Sequence, residues 1–160
     1  MSRKSVVGLI SDTHGLLRPE VVEALRGSDL IVHAGDIGDP EILAELARLA
    51  PIVAVRGNVD TGVWAQSIPD TAVAEFGASA RLYVLHSIED LDIDPAAAGF
   101  CAVISGHSHK PGSRRKGGVL YVNPGSAGPR RFSLPVSLGR LLLEDGNLSV
   151  DLIEVKLKAR

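Results

Sequence analysis

Apolar residues in this chain come in short runs, each ending in a small polar cluster. Residues 6–10 (Val-Val-Gly-Leu-Ile) form the first run, rich in β-branched side chains and too short to cross a membrane, so the pattern predicts a buried strand. Similar runs recur at 30–33 and 52–55. Between the first two, Pro19 near its start and Gly27 just past its end mark a helix through about Arg26. A second helix starts at Pro40 and reaches about Ala50, with Ile42, Leu43, Leu46 and Leu49 on one face. The order β-α-β-α-β argues for parallel strands joined by right-handed crossovers.

After residue 60 the pattern changes. Residues 71–76 and 81–85 flank the small-residue turn Gly77-Ala78 and read as an antiparallel hairpin. A helical or irregular piece at 90–98 leads to a strand at 102–105, and another strand follows at 119–122. Residues 138–143 and 148–155 pair around Glu144-Asp145-Gly146-Asn147, a strong hairpin turn. With no internal repeat and no low-complexity segment, the expectation is an α/β protein: two packed β-sheets with helices outside, in a single domain over residues 1–160.

Composition narrows the function. At 160 residues, 45% hydrophobic and 22% charged, the chain suits one ordinary globular core. A formal charge of −2 gives no footprint for nucleic acid, and Arg114-Arg115-Lys116 reads as a solvated loop. Cys101, the single cysteine, excludes an intrachain disulfide and a thiolate-rich zinc site; inside the apolar run 100–104 it reads as a core residue. No signal peptide and no run of about 18 apolar residues is evident, so no membrane association and a cytoplasmic location are expected.

The candidate chemistry sits where the apolar runs stop. Asp12 and His14 follow the first run, Asp36 the second, Asn58 the third, His86 the second hairpin arm, and His107 and His109 the strand at 102–105. In extended chain residues i and i+2 point the same way, so Asp12 and His14 can converge on one target, in the crevice where open α/β sheets bind ligands. Singly, each residue has a plain structural role as a cap, turn or core residue; His33 reads as core or as support behind a ligand. Collectively, seven ligand-type side chains around one crevice would be costly to bury unpartnered. They exceed what one cation takes while keeping an open position, and suit two divalent metals sharing a carboxylate.

Asp12-x-His14, Gly35-Asp36, Gly57-Asn58, His86 and Gly106-His107-x-His109, in that order, resemble the motifs of the calcineurin-like metallophosphoesterase superfamily. The small size, Asn123-Pro124-Gly125-Ser126 and Arg130 are similar to its compact bacterial and archaeal phosphodiesterase branch. The resemblance implies a four-layer α/β/β/α sandwich, two mixed β-sheets flanked by helices. It implies one metal on Asp12, His14 and His109, a second on Asn58, His86 and His107, and Asp36 bridging both. The activity implied is metal-dependent hydrolysis of a small phosphoester, most readily a phosphodiester, by a hydroxide shared between two divalent metals, with Asp36, Asn58 and His107 closest to the chemistry. Manganese or nickel is the expected metal, with iron, cobalt or zinc also suited to such ligands.

Two positions depart from the family pattern. Val59 follows Asn58 where many members have His, a residue thought to protonate the leaving group, so good leaving groups are favoured over alkyl phosphomonoesters. Ser87 follows His86 where Gly is usual. Alternatives are a non-catalytic interaction scaffold of the same fold, a phosphomonoesterase, and a nuclease. A nucleotide-binding protein is disfavoured by the lack of Gly-x-Gly-x-x-Gly and of a P-loop lysine. Asn123 and Arg130 are candidates to lie near the phosphate. Trp64 reads equally as an exposed anchor for a homo-oligomer or as partly buried core; the sequence leaves the oligomeric state open.

Overall fold

A computed structural model describes residues 4–77, 79–131 and 133–158. Among the described residues ten strands form two five-stranded mixed sheets. In the first sheet β1 (Lys4–Ile10), β2 (Leu30–His33) and β3 (Ile52–Ala54) run parallel. The hairpin β9 (Ser137–Glu144) and β10 (Asn147–Glu154) joins β1 antiparallel, giving the order β10-β9-β1-β2-β3. The second sheet has the order β4-β5-β6-β8-β7, built from β4 (Thr71–Phe76), β5 (Ala80–Leu85), β6 (Ala102–Ile104), β7 (Gly112–Lys116) and β8 (Val119–Asn123). β5, β6 and β8 are parallel, with β4 and β7 antiparallel at the edges.

Strand alternation distributes the apolar side chains between layers. Val7, Leu9, Leu30 and Val32 face Leu82, Val84, Ile104 and Val122 across the space between the sheets. The opposite face of the first sheet, with Ile10 and Ile31, is covered by α1 (Pro19–Leu25) and α2 (Pro40–Ala47) through Val21, Leu25, Ile42 and Leu46. Pro40 opens α2 and the Asp39 side chain caps it, accepting from the Glu41 amide at 2.9 Å. A side chain at Gly8 would run into Leu25 at 2.6 Å, which is why β1 carries glycine where α1 crosses it.

The four-layer sandwich is present, and its fourth layer is thin. Residues 88–100, a short 3₁₀ turn at Ile88–Asp90 followed by coil, cover the outer face of the second sheet. Leu91 packs there on Leu85, Val103 and Val119, and Phe100 meets Tyr83 edge to face. Trp64, in a 3₁₀ helix at Val63–Ser67, packs against the helix-side core and takes the core role of its two readings.

Three local expectations are corrected. Arg114-Arg115-Lys116 is not a loop but part of β7, an exposed edge strand with Arg114 paired to Tyr121; a run of charged residues suits an edge that must not recruit another strand. The second helix stops at Ala47, and residues 48–50 leave it through turn hydrogen bonds from the Arg48 and Leu49 amides. Asp12 and His14 are not in extended chain, as shown below. The proposed turn at Gly77-Ala78 lies partly outside the described residues. None of the helices among the described residues is long and apolar enough to cross a membrane.

Candidate metal centre

The carboxyl ends of the parallel strands in both sheets point to one edge of the sandwich, and the loops leaving them are held in fixed geometry. The loops after β1 and β2 run side by side, with Asp12 N donating to Gly35 O, His14 N to Asp36 O and Gly15 N to Ile37 O at 2.8–2.9 Å. Asp60 is buried and its carboxylate accepts from the amides of Ile37, Gly38 and Gly57, tying the loops after β2 and β3 together. Ser126 ties in the loop after β8 by donating from Oγ to Asp12 O at 2.9 Å. The turn pattern Gly57-Asn58-Val59-Asp60 held the signal for Asp60, an acid placed to collect loose amides; Ser126 was marked only as the last residue of Asn123-Pro124-Gly125-Ser126.

Among the described non-glycine residues six have positive φ, and five of them are Asp12, His14, Asp36, His107 and His109. Left-handed backbone is uncommon outside glycine, Asp and His being among the residues that tolerate it best, and residues held in it cluster at functional sites. Asp12 and His14 therefore converge because both kink the chain, not because they share one face of a strand. Glycines permit the crowding: a Cβ on Gly106 would overlap Ser11 Oγ, and one on Gly57 would overlap the amide and carboxylate of Asp36.

Two groups result. Asp12, His14 and His109 form one; Asp36, His86 and His107 form the other, with ligand atoms in each within 4.8 Å of one another. Asp12 Oδ2 accepts from Ser11 Oγ at 2.6 Å and from the His107 amide at 3.0 Å, while Oδ1 is buried with no hydrogen-bond partner. That orphaned oxygen faces His109 Nε2 at 3.4 Å, His14 Nε2 at 3.6 Å and His86 Nε2 at 4.0 Å. His14 and His109 bring their Nε2 atoms to 3.3 Å, as His86 Nε2 and His107 Nδ1 do. Ligands at ~2.1 Å from a tetrahedral cation lie roughly 3.4 Å apart, so the donor set has the spacing that a divalent cation imposes. Asp36 spans the two groups: Oδ2 lies 3.2 Å from His86 Nε2 and 3.6 Å from His14 Nε2, and Oδ1 accepts from the Val59 amide at 3.0 Å. Asn58 is exposed and lines a cavity with His86.

Protonation follows from the same contacts. Burial raises the Asp12 carboxyl above its usual range, against the Ser11 hydrogen bond and the nearby imidazoles. Burial acts the same way on Asp36 but loses to the His86 hydrogen bond and the Val59 amide, which hold it well below the ordinary carboxylate range. Burial opposes charge on His86 too, yet its hydrogen bonds to Asp36 and the Ala34 carbonyl raise its basicity. Ala34 O at 2.7 Å accepts from His86 Nδ1, which aims Nε2 into the centre. His109 is made less basic chiefly by burial, with Asp12 opposing and the charge of Arg131 adding to the effect.

Behind the centre His33 is fully buried and links the first two loops. The Gly35 amide donates to its Nδ1 at 3.1 Å, and Thr13 Oγ1, which donates to Ile37 O, lies 2.9 Å from its Nε2. It supports the ligands, one of the two roles its sequence context allowed. Burial pushes its pKa down to about 3 from 6.5. Since the unfolded chain takes up this proton near pH 6.5 and the native chain only near 3, stability falls as pH drops through that window, by about 1.4 kcal/mol per unit. In denaturant titrations of metal-free protein, the stability advantage of wild type over His33→Gln is expected to shrink by roughly 2 kcal/mol between pH 6.5 and 5. An advantage constant with pH would refute the neutral, buried imidazole.

Asn123 braces the loop carrying His107 and His109: its Nδ2 donates to Gly106 O and Ser108 Oγ and its Oδ1 accepts from Gly125 N. Arg130 is exposed, and it is the adjacent Arg131 whose charge acts on His109. Ser87 leaves the His86 contacts intact.

Comparison with known proteins identifies the family. Residues 6–146 match the calcineurin-like phosphoesterase superfamily domain. A probable metallophosphoesterase of Methanothermobacter thermautotrophicus is 34% identical over 160 residues, covering 92% of this chain and 91% of the relative. In fold, the chain is similar to Vacuolar Protein Sorting 29 from Cryptosporidium parvum (TM-score 0.76, 20% identity, 96% of this chain and 99% of that one). It is also similar to a structure described as a novel archaeal phosphodiesterase (TM-score 0.68, 21% identity, 92% and 99%). With the family domain matched across most of its length, the chain belongs to the calcineurin-like phosphoesterase superfamily.

Proposed function

We propose that this protein is a metal-dependent phosphodiesterase whose centre takes two divalent cations. Asp12, His14 and His109 would hold one, Asn58, His86 and His107 the other, and Asp36 both. The observation that carries the reading is Asp12 Oδ1, buried without a hydrogen-bond partner and faced by three imidazole nitrogens within 4.0 Å. An unpaired buried carboxylate oxygen is expensive, and a cation among those nitrogens removes the cost. When bound, such ions supply Lewis acidity to the phosphoryl oxygens and lower the pKa of water enough for attack at neutral pH.

The chain's own part is positional. The Val59 amide fixes one Asp36 oxygen and leaves the other toward His86 and His14. The carbonyl of Ala34 fixes the His86 tautomer. Ser11 and the His107 amide occupy the second Asp12 oxygen, so only Oδ1 remains for a ligand role. At the mouth of the centre Val59 presents an apolar, half-exposed side chain with no proton to give, which favours substrates whose leaving group departs as an anion.

All seven ligand-type residues are present, six of them gathered into two groups, which supports the enzymatic reading over a scaffold of the same fold. The test is to strip the protein with a chelator and restore manganese, nickel, iron, cobalt or zinc one at a time. Hydrolysis of an aryl phosphodiester is expected to disappear and return, best with manganese or nickel, with two ions per chain by elemental analysis. Activity that survives complete removal of metal, or a larger rate on an alkyl phosphomonoester, would overturn the proposal.

A further inference from the structure

We propose that the cavity between β7, β8 and the His107–His109 loop binds one substituent of the phosphodiester, and that this substituent has a flat ring and an anionic group of its own, as in the nucleoside phosphates. The assignment rests on the phosphodiesterase reading and adds the substrate class to it. The cavity, of about 350 Å³, is large enough for such a group. Its inner wall is Ser105, Ser108 and Asn123. Ser108 stands between His107 and His109 in the chain, and Asn123 holds it with a 3.1 Å hydrogen bond, so the cavity opens beside the loop that carries those two residues.

The chemistry of the walls selects the occupant. Ile88 and the half-buried ring of Tyr121 supply an apolar surface. The Arg114 guanidinium stacks 5.4 Å from the centre of that ring, and with Lys110 it makes the cavity cationic, with no carboxylate among the lining residues. A planar guanidinium beside an aromatic ring accepts a second ring by stacking and an anion through its edge. A second cavity, on the Asn58 and His86 side, has the opposite character. Its Asp70 and Asp90 face a single arginine, Arg56, which is already paired with Asp70 at 2.8 Å. An anionic substituent is therefore steered to the β7–β8 cavity, leaving the acidic one for the uncharged or cationic side of the ester. The basic run that looked like a solvated loop gains a role through Arg114.

Metal-stripped full-length protein should be titrated with adenosine 5′-monophosphate, adenosine and inorganic phosphate while amide chemical shifts are followed. The mononucleotide is expected to saturate with shifts centred on Ser108, Arg114 and Tyr121, and to bind at least about 10-fold more tightly than adenosine or phosphate alone. Arg114→Ala and Lys110→Ala should each weaken it roughly 5- to 10-fold, with Arg114→Lys retaining part of the affinity. Binding should also weaken with added salt. Shifts centred instead on Asn58 and His86, phosphate binding as tightly as the mononucleotide, unchanged affinity in Arg114→Ala, or far tighter binding of a short single-stranded oligonucleotide would each overturn the assignment. Loss of the phosphodiesterase reading would show separately, as metal-restored wild type that hydrolyses no diester while still binding the mononucleotide in this cavity.

Discussion

Asp36→Asn is expected to keep the protein folded and to lower turnover of an aryl phosphodiester roughly 10²–10³-fold, with metal content falling from two ions per chain toward one. The side chain keeps its shape, so the oxygen that accepts from the Val59 amide is retained and the loop after β3 stays in place. What is lost is the charge of the oxygen lying 3.2 Å from His86 Nε2 and 3.6 Å from His14 Nε2, against both halves of the donor set. An amide cannot neutralise a pair of cations, and a bridge worth several kcal/mol to the transition state translates into two or three decades of rate. Asp60→Asn is the informative companion. Asp60 collects three backbone amides without joining either donor group, so its loss should reduce thermal stability before it reduces metal stoichiometry. Elemental analysis of both variants separates the cases; an Asp36→Asn protein that holds two ions and retains its rate would show that the carboxylate is no bridge.

The residues that carry this prediction could be read from the sequence because each ends a recognisable apolar run. Periodicity placed β1, β2 and β8 within a residue or two, since buried parallel strands leave little freedom in composition. It also pointed to Asp12, His14, Asp36, His86, His107 and His109, which the fold gathers into two groups, because a strand end is where a buried run must release its polar neighbours. What it gave incorrectly was the reason Asp12 and His14 meet: left-handed backbone at both positions depends on the ladder to Gly35, Asp36 and Ile37, whose bonds join residues 22 or 23 positions apart. β7 was invisible for a related reason. Gly112 to Lys116 has no apolar residue, and only pairing with β8 makes it a strand. Asn123 shows a role that pattern alone did not reveal, since its amide holds Gly106 and Ser108 and so braces the loop of His107 and His109. Local pattern thus locates the polar residues at strand ends, and tertiary contacts decide which way they face.

Val59→His is expected to act on the leaving group rather than on metal binding. The Val59 side chain is 48% exposed while its amide is anchored to Asp36, so an imidazole there would project from a fixed point at the mouth of the centre. In wild type, an alkoxide must leave without help from this position, and rates should fall steeply as the leaving group becomes more basic. General acid catalysis is typically worth 10²–10⁴-fold, and it is worth most where the departing oxygen is most basic. The variant should therefore hydrolyse alkyl phosphoesters about 10²-fold faster than wild type, while aryl esters, whose leaving groups need no proton, gain little. A plot of log kcat/KM against leaving-group pKa should flatten, and for alkyl substrates a loss of rate should appear as pH rises past the imidazole's usual value near 6.5. Two ions per chain in both proteins would show that the new histidine has not joined the donor set. If the slope stays steep and alkyl and aryl rates change in parallel, position 59 has no part in releasing the leaving group, and the preference for phosphodiesters must arise from the flanking cavities alone.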